Sequence, residues 1–481
     1  MLYRLVDLVL AKKNLAFFLI LFMLGLFVVF PTYDPDLGWH IAYGNYFWQN
    51  HKLLTSDIFS WTLADFKWFS ISWPYDLLVS LVFPKGEFLA LSLIAVAVIL
   101  LTFCFLVKPF KLSFFWLVMA SLVFIFFVQP LASPGFRVQL FELLFLAVAT
   151  SLIWSYEKGQ KVVVWYFPLL MIGWINLHGS FIMGLFLIGS YVVVKNLSST
   201  LNAQQKIVLN LILLLTILAV FINPYGLALF KQIVNYAPIL RTTGVNEWQP
   251  ESIFSDKWLM LLVWTALLIV IVLKNRRDHF GLYQAVIVLL FAFLGFNSRR
   301  MITPYVVVSL PLVLNFIHGL NFKISKKANL MALVIIMSAI VNGLFNRLPS
   351  LHFLKTNLNE YCQIGLHCSP EAMSFIKKNP LPKKSLTFYN WGGYLIWQTE
   401  SRVFVDGRMD QWEKEGFSAF SDHEKILQKD DLDLFNKYNF DAVYIPPTFR
   451  LAAYLEKQTE QGKWAKVFGD DRAVIFEKKK L

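Results

Sequence analysis

The sequence predicts a mainly α-helical polytopic membrane protein, with about 11 transmembrane helices and a small C-terminal α/β domain. Composition is the first observation behind this prediction. Hydrophobic residues make up 57% of the 481 residues and charged residues 16%, against roughly 45–50% and 25% in soluble domains. The second observation is that long apolar runs recur up to residue 345, after which the chain becomes polar. A soluble enzyme is therefore not expected.

Eleven apolar runs, bounded by charged residues or by Gly, Pro and Asn, are the predicted spans. They cover residues 14–31, 88–107, 112–128, 138–154, 162–175, 180–194, 207–222, 258–273, 281–296, 302–317 and 328–344. Several are shorter than the roughly 20 residues that cross a bilayer. The polar stretch after the first run has no small-residue cleavage site, which favours a retained helix over a signal peptide.

The distribution of basic residues predicts the orientation of these spans. The chain before residue 346 contains 24 Lys and Arg and 13 Asp and Glu, a net charge of +11, and the rest carries +2. The N-terminus and every second connection between the predicted spans together hold 15 basic and three acidic residues. The connections on the opposite side hold nine basic and ten acidic residues. Because Lys and Arg concentrate in cytoplasmic loops, we predict the N-terminus inside and the C-terminus outside. The basic excess needs no nucleic-acid partner.

Two domains are predicted. Residues 1–345 form the membrane module, with outer loops at 32–87, which contains interfacial helices, and at 223–257; residues 346–481 form the extracytoplasmic α/β domain. Helix-like runs in that domain cover 371–378 and 450–461, and strand-like runs cover 403–405, 442–445 and 473–476. Cys362 and Cys368 flank a short loop, and the sequence leaves open whether they form a disulfide.

Acidic residues follow the first predicted span at its outer end. Asp34 and Asp36 lie there, and His40 comes four residues after Asp36, on the same face of a helix. A carboxylate at this position could deprotonate an acceptor hydroxyl. The pair could also hold a divalent cation such as Mg²⁺ or Mn²⁺ through oxygen ligands. Helix capping by the two aspartates is the alternative.

Basic and polar residues are predicted at the same outer face. Arg137 precedes the fourth span, and Arg299 and Arg300 precede the tenth. They could clamp a phosphate or pyrophosphate, or they could extend to lipid headgroups. Asn176 and His178 lie in the turn between the fifth and sixth spans, as site residues or as turn residues.

Several motifs resemble a bacterial family within the GT-C superfamily of membrane glycosyltransferases. The first outer loop contains Asp34-Pro35-Asp36, Trp39-His40, Gly44, the segment 57–62 and Trp73; further matching motifs cover 176–179, 223–226, 391–397 and 403–408. The resemblance implies a multi-span enzyme of the bacterial cytoplasmic membrane. It would transfer a sugar from a polyprenyl-phosphate donor to an extracytoplasmic glycan or lipid acceptor. The Asp-Glu pair of protein mannosyltransferases and the Trp-Trp-Asp motif of oligosaccharyltransferases are missing, so those two acceptor classes are not expected.

The resemblance also implies site roles. Asp36 is the predicted base, and Asp34 is its supporting residue. The predicted donor-binding residues are Arg137, Arg299, Arg300, His178, Asn176 and His40. Asp406, Arg408 and Trp391 lie in Gly-containing motifs that either bind the acceptor or form turns.

Three other functions remain open at this stage. A polysaccharide polymerase or ligase would use a lipid-pyrophosphate donor and need outer arginines as well. A transporter of lipid-linked saccharide would place ionisable groups at the membrane midplane and show paired repeats. In a non-catalytic envelope-binding protein, Asp34 and Asp36 would tolerate substitution.

Overall fold

The computed structural model describes residues 12–197, 201–236, 246–275, 279–320, 323–346 and 352–479. Three basic residues of the predicted inner side, Arg4, Arg276 and Arg277, lie outside these ranges. The described chain is mainly helical and has a small sheet near the C-terminus, which confirms these two parts of the predicted class. It forms two compact units. Unit 1 comprises Met1–Phe30, Ser92–Gly226 and Gly244–Phe353, and unit 2 comprises Pro31–Leu91, Leu227–Thr243 and Leu354–Leu481.

Thirteen helices are described before residue 347. They are α1 (Lys13–Val28), α2 (Leu37–Asn50), α3 (Trp73–Val107), α4 (Phe114–Ala132), α5 (Gln139–Glu157), α6 (Tyr166–Leu177), α7 (Phe181–Leu197), α8 (Ala203–Ala219), α9 (Leu227–Tyr236), α10 (Asp256–Asn275), α11 (His279–Asn297), α12 (Arg299–Gly319) and α13 (Lys326–Asn346). Short 3₁₀ turns form at Lys161–Trp165 and Asn246–Trp248.

Seven helices of the described residues, α3, α4, α5 and α10 to α13, are long and apolar enough to cross a membrane. Four shorter apolar helices, α1, α6 with its preceding 3₁₀ turn, α7 and α8, have 10–17 residues. Each of the eleven predicted spans overlaps one of these eleven helices. Seven of the predicted spans thus overlap a helix of membrane length. The other four overlap shorter helices and remain predictions.

The second predicted span, residues 88–107, begins directly after a break in α3 at Glu87. A further helical segment precedes this break, because α3 begins at Trp73. The charges of Lys85 and Glu87 and the ring of Pro84 ended the apolar run in the sequence. In the structure, Glu87 has a φ of 46° and interrupts the helical backbone, and the helix continues on both sides. The predicted outer loop 32–87 thus ends in helix, and α2 lies within it.

Helix α12 is the most buried of the long helices. All its residues from Met301 to Leu314 are buried. The Thr303 hydroxyl donates to the Phe127 carbonyl of α4 at 2.7 Å, and the Trp264 indole of α10 donates to Ser309 at 2.9 Å. These bonds satisfy polar groups within an apolar interior. They also fix the start of α12, which carries Arg299 and Arg300.

The C-terminal part of unit 2 holds a four-stranded sheet of order β1-β2-β4-β3, in which β1 and β2 are parallel and the other pairs antiparallel. Its strands are β1 (Ser385–Thr387), β2 (Ala442–Ile445), β3 (Trp464–Gly469) and β4 (Val474–Lys478), and its helices are α14 (His352–Lys355), α15 (Leu358–Glu360), α16 (Pro370–Lys378), α17 (Gly392–Thr399), α18 (Ala419–Gln428), α19 (Leu432–Tyr438) and α20 (Arg450–Glu460). A single π-helical turn, Tyr361–Leu366, follows α15.

The predicted elements of this region are partly right. The predicted runs at 371–378, 442–445, 450–461 and 473–476 correspond to α16, β2, α20 and β4. The predicted strand at 403–405 is wrong, because Val403 makes only an isolated bridge to Ser60. Helix α16 begins as its sequence suggests, since the Ser369 hydroxyl accepts the Ala372 N–H and Pro370 follows the cap. Cys362 and Cys368 form a disulfide, with their Cα atoms 5.0 Å apart.

Candidate functional site

Unit 1 contains a cavity of about 430 Å³ that we call the arginine cavity. Arg137, Arg299 and Arg300 line it together, as does Lys257. Its apolar wall consists of Phe126, Phe127, Pro130, Leu131 and Ile302. These residues come from the end of α4, the approach to α5 and the first turns of α10 and α12. The cavity therefore lies where four apolar helices of membrane length begin or end.

Arg300 has three neighbouring side chains in and beside the arginine cavity. Its guanidinium donates to the Glu247 carboxylate at 3.1 Å, lies 3.3 Å from His178 Nε2 and covers the Trp248 ring at 4.7 Å. Arg137 approaches the other oxygen of Glu247 at 3.5 Å. Burial by itself raises the pKa of Glu247, but the charges and hydrogen bonds of Arg300 and Arg137 outweigh it and hold this pKa below its ordinary value. Glu247 is therefore an ionised carboxylate between two arginines.

Arg299 fastens the segment before α10 to the start of α12. Its guanidinium donates to Asn246 Oδ1 at 2.6 Å and its backbone N–H to the Gln249 carbonyl at 3.0 Å. Glu251 lies 3.9 Å from Arg299 Nε, too far for a hydrogen bond. The Arg299 side chain is 36% exposed, against 13% for Arg300. Of these two arginines, Arg300 is thus the one enclosed by protein.

His178 is neutral at physiological pH. Burial first, and then the charges of Arg300 and Arg137, lower the pKa of His178 from 6.5 to about 3. Its Nε2 atom lies 3.3 Å from Arg300 Nη2. Its Nδ1 atom lies 3.2 Å from the Ser180 backbone nitrogen, 2.8 Å from the Ser180 hydroxyl and 3.5 Å from a Glu142 carboxylate oxygen. The imidazole is thus held between the Ser180 turn and Arg300.

Asn176 has a structural role in the same turn. Its amide nitrogen donates to the carbonyls of Ile172 and Ile222, each at 2.8 Å. These two bonds use both amide hydrogens and join α6 to the end of α8. These bonds explain Asn176 as a turn residue, whereas His178 contacts Arg300 of the cavity.

The predicted first outer loop belongs to unit 2, where Asp34 and Asp36 precede α2. Asp34 is buried, and its backbone carbonyl accepts the Tyr361 hydroxyl at 2.6 Å. Asp36 is half-buried and occupies the N-cap position of α2. Its side chain makes no capping hydrogen bond to α2. Helix capping by Asp36 is therefore wrong, since the N–H groups that a cap would satisfy are not bonded to its carboxylate.

His40 follows Asp36 by one helical turn, as predicted, but its partner is a different carboxylate. Its Nδ1 is bonded to Asp76, which also accepts the Ser70 hydroxyl at 2.6 Å. The His40 ring is 4% exposed and packs against Trp39 and Tyr75. His40 is thus a buried residue of unit 2 whose Nδ1 is in use, and its predicted donor-binding role stays a prediction.

Glycines bring three sequence motifs of unit 2 together. A Cβ on Gly38 would meet the backbone carbonyl of Gly393, and a Cβ on Gly407 would overlap the Asp36 carboxylate. Gly392 approaches the backbone of Val405 in the same way. Only glycine permits such close backbone contact. The motifs at 34–40, 391–397 and 403–408 therefore form one packed assembly, with Asp36 against the turn at residue 407.

Arg408 is the buried cation of this assembly. It makes two hydrogen bonds to Asp406, at 2.7 and 2.6 Å, and one to Asp57 at 2.7 Å, and its side chain is 1% exposed. Burial by itself lowers the pKa of Arg408, but the charges of Asp406 and Asp57 raise it above its ordinary value. Trp391 is fully buried and donates to the Leu366 carbonyl at 3.0 Å. Burial and internal bonding of all three predicted acceptor residues favour the structural alternative.

The predicted site residues thus fall into two sets. Unit 1 brings together Arg137, Arg299, Arg300 and His178, and unit 2 contains Asp34, Asp36, His40, Asp406, Arg408 and Trp391. A common catalytic face for the two sets stays a prediction. The residues at these sites that were not predicted from the sequence are Glu247, Glu251, Lys257, Asn246, Glu142 and Asp76. Glu142 carried a usable signal, because it is an acidic residue inside an apolar run.

No group of three or more His, Cys, Asp or Glu side chains is arranged to hold a metal ion in the part of the chain that the structure describes. Cation binding through Asp34 and Asp36 remains a prediction, which would need further oxygen ligands from substrate. Comparison of the chain with known protein families and with curated proteins found no match.

Proposed function

We propose that the protein is a GT-C-type glycosyltransferase of the bacterial cytoplasmic membrane, with its N-terminus inside and its reaction face outside. It transfers a sugar from a polyprenyl-phosphate donor to an extracytoplasmic glycan or lipid acceptor. The observation that carries the proposal is the arginine cavity, in which Arg137, Arg299 and Arg300 share one space at the ends of apolar helices.

The cavity has the two chemical characters that such a donor requires. Arginines bind phosphate oxygens through directional, charge-assisted hydrogen bonds. The wall formed by Phe126, Pro130 and Ile302 offers apolar surface beside them, and Phe126 is 40% exposed. A lipid phosphate has the same pattern, with an anionic head attached to an apolar chain. His178, whose Nε2 lies 3.3 Å from Arg300, would position that arginine beside the donor.

Asp36 is the proposed base. The acceptor oxygen bonds to the anomeric carbon, its proton passes to the Asp36 carboxylate, and the bond from the anomeric carbon to the phosphate oxygen breaks. The lipid phosphate leaves with the electron pair of that bond, and cationic groups such as arginines stabilise a leaving phosphate of this kind. Asp36 suits the role better than Asp34, because Asp36 is half-buried, whereas Asp34 is 3% exposed.

A polymerase or ligase that uses a lipid pyrophosphate is the second candidate. The observation that favours it is the charge of the cavity lining, where Arg137, Arg299, Arg300 and Lys257 outnumber Glu247 and Glu251. Such a surplus also suits a pyrophosphate. The two candidates differ in which leaving group accumulates during turnover.

The test is sugar transfer by the purified full-length protein, given polyprenyl-phosphate or polyprenyl-pyrophosphate sugars. We expect Asp36→Asn to lower transfer about 100- to 10,000-fold, the usual effect of losing a positioned base, with donor binding kept. Arg300→Ala should weaken donor binding. The matched control is Asp65→Asn, at an exposed residue of the same loop. Near-normal transfer by both Asp36→Asn and Asp34→Asn would refute the proposed enzyme, and turnover with pyrophosphate donors alone would favour the second candidate.

A further inference from the structure

Glu247 occupies the position in the arginine cavity that an anionic ligand would take. Its two carboxylate oxygens lie 3.1 Å from Arg300 Nη1 and 3.5 Å from Arg137 Nη1. A phosphate bound by these arginines would present its oxygens to the same nitrogens. The carboxylate and the phosphate therefore cannot both hold these positions.

We propose that Glu247 is an internal competitor for the anion site, and that a substrate phosphate binds by displacing its carboxylate from Arg137 and Arg300. This inference rests on the proposed function, because it concerns the same donor site. It assigns Glu247 a role in ligand exchange that the sequence did not suggest. The carboxylate would shield the arginines while the site is empty, and its return would help to expel the phosphate product.

The surroundings of Glu247 allow this exchange without unfolding. Its side chain is 35% exposed, whereas those of Arg137 and Arg300 are 14% and 13% exposed, so the carboxylate is on the open side of the ion pairs. Its backbone is held, because the Ser298 hydroxyl donates to the Glu247 carbonyl at 3.1 Å. Rotation of the side chain alone would release both arginines. The lowered pKa of Glu247 keeps it ionised, and therefore competitive, at neutral pH.

The arginines can accept a larger anion than one carboxylate. The Nε atoms of Arg299 and Arg300 are buried and have no hydrogen-bond acceptor among the described residues. Buried donors normally have a partner. A phosphate carries more acceptor oxygens than a carboxylate, and so can supply acceptors that Glu247 does not.

Glu251 provides a matched comparison for Glu247. It also lines the cavity and carries the same charge, but its nearest arginine contact is Arg299 Nε at 3.9 Å, whereas Arg137 and Arg300 pair with Glu247. A general reduction of negative charge would affect the two glutamates alike. Competition for one position would affect only Glu247.

The experiment measures binding of inorganic pyrophosphate to the full-length protein by titration calorimetry, for wild type, Glu247→Gln and Glu251→Gln. We expect Glu247→Gln to bind at least about tenfold more tightly, since it removes a like charge from the anion site. Glu251→Gln should change the affinity less than about threefold. Adding Arg300→Ala to Glu247→Gln should remove the gain.

The outcomes separate this inference from the proposed function. Equal or weaker binding by Glu247→Gln overturns the competitor role, because Glu247 would then serve to position the arginines, and the donor site would stand. Absence of binding in wild type and in both variants overturns the competitor role and the proposed donor site together. Glu247→Asp keeps the charge on a shorter side chain, and we expect an intermediate affinity. If Glu247→Gln does not fold, an unchanged affinity in Glu247→Asp overturns the inference.

Discussion

The guanidinium of Arg408 donates to the carboxylate of Asp57 at 2.7 Å, although the two residues are 351 positions apart in the sequence. Asp57 also accepts the N–H groups of Phe59 and Ser60, at 3.0 and 2.9 Å. This ion pair joins the loop between α2 and α3 to the C-terminal part of unit 2. The neighbouring backbone follows the same path, since Val403 N–H donates to the Phe59 carbonyl at 2.9 Å.

Arg408→Ala should destabilise the protein by roughly 3–5 kcal/mol, because it leaves the buried carboxylates of Asp57 and Asp406 without their cation. The measurement is the melting temperature of the full-length protein in detergent, with Arg402→Ala as the control at a nearby exposed arginine. A melting temperature equal to that of wild type, together with lost transfer activity, would restore the acceptor-binding role of Arg408.

Gly38→Ala should destabilise unit 2, because the added Cβ meets the backbone carbonyl of Gly393, which cannot turn aside as a side chain can. Overpacking of this kind costs about 1–3 kcal/mol. Gly319→Ala is the control, since a Cβ at Gly319 would meet no atom within 4 Å among the described residues. Equal melting temperatures for the two variants would contradict the close contact between α2 and α17.

Stability should depend on pH through His178. The folded protein holds its pKa at about 3, against an ordinary value of 6.5. Between these two pH values the unfolded chain binds a proton at His178 and the folded chain does not. The stability that His178 contributes is therefore fully present above pH 6.5 and is lost as the pH falls. At about pH 5 we expect the free energy of unfolding to be about 2 kcal/mol lower than above the ordinary pKa of histidine.

The His178→Asn variant tests this prediction. Its melting temperature should fall less than that of wild type when the pH is lowered from about 7 to about 5. Parallel decreases in the two proteins would mean that other groups cause the acid sensitivity.

The orientation is tested with single cysteines in a Cys104→Ser background, because Cys104 is free and only half-buried. Cysteines at Lys158 and Lys326 should resist an impermeant thiol reagent in intact cells, and one at Lys429 should react. All three positions are exposed. Labelling at Lys158 with protection at Lys429 would invert the predicted topology and move the proposed reaction face into the cytoplasm.

The helical part of the fold was largely predictable, because each apolar run is long enough to form a helix whatever lies elsewhere in the chain. Boundaries were less predictable. The predicted start of the second span at residue 88 agrees with the break at Glu87, whereas the start of the preceding helical segment at Trp73 was not predicted. Strands β1 and β3 were missed, since a strand of three residues such as β1 leaves almost no pattern, and β3 is largely solvent-accessible.

The candidate site was predictable in its residue types and not in its pairings. The sequence by itself determined that basic residues Arg137, Arg299 and Arg300 follow or precede apolar runs, because hydropathy and charge can be read from each segment alone. Only the tertiary structure decided that Glu247 lies between two of these arginines and that Arg408 is paired with Asp57. Ion pairs and glycine contacts depend on which distant backbone segments approach within a few ångströms, and that approach is set by the packing of the whole unit.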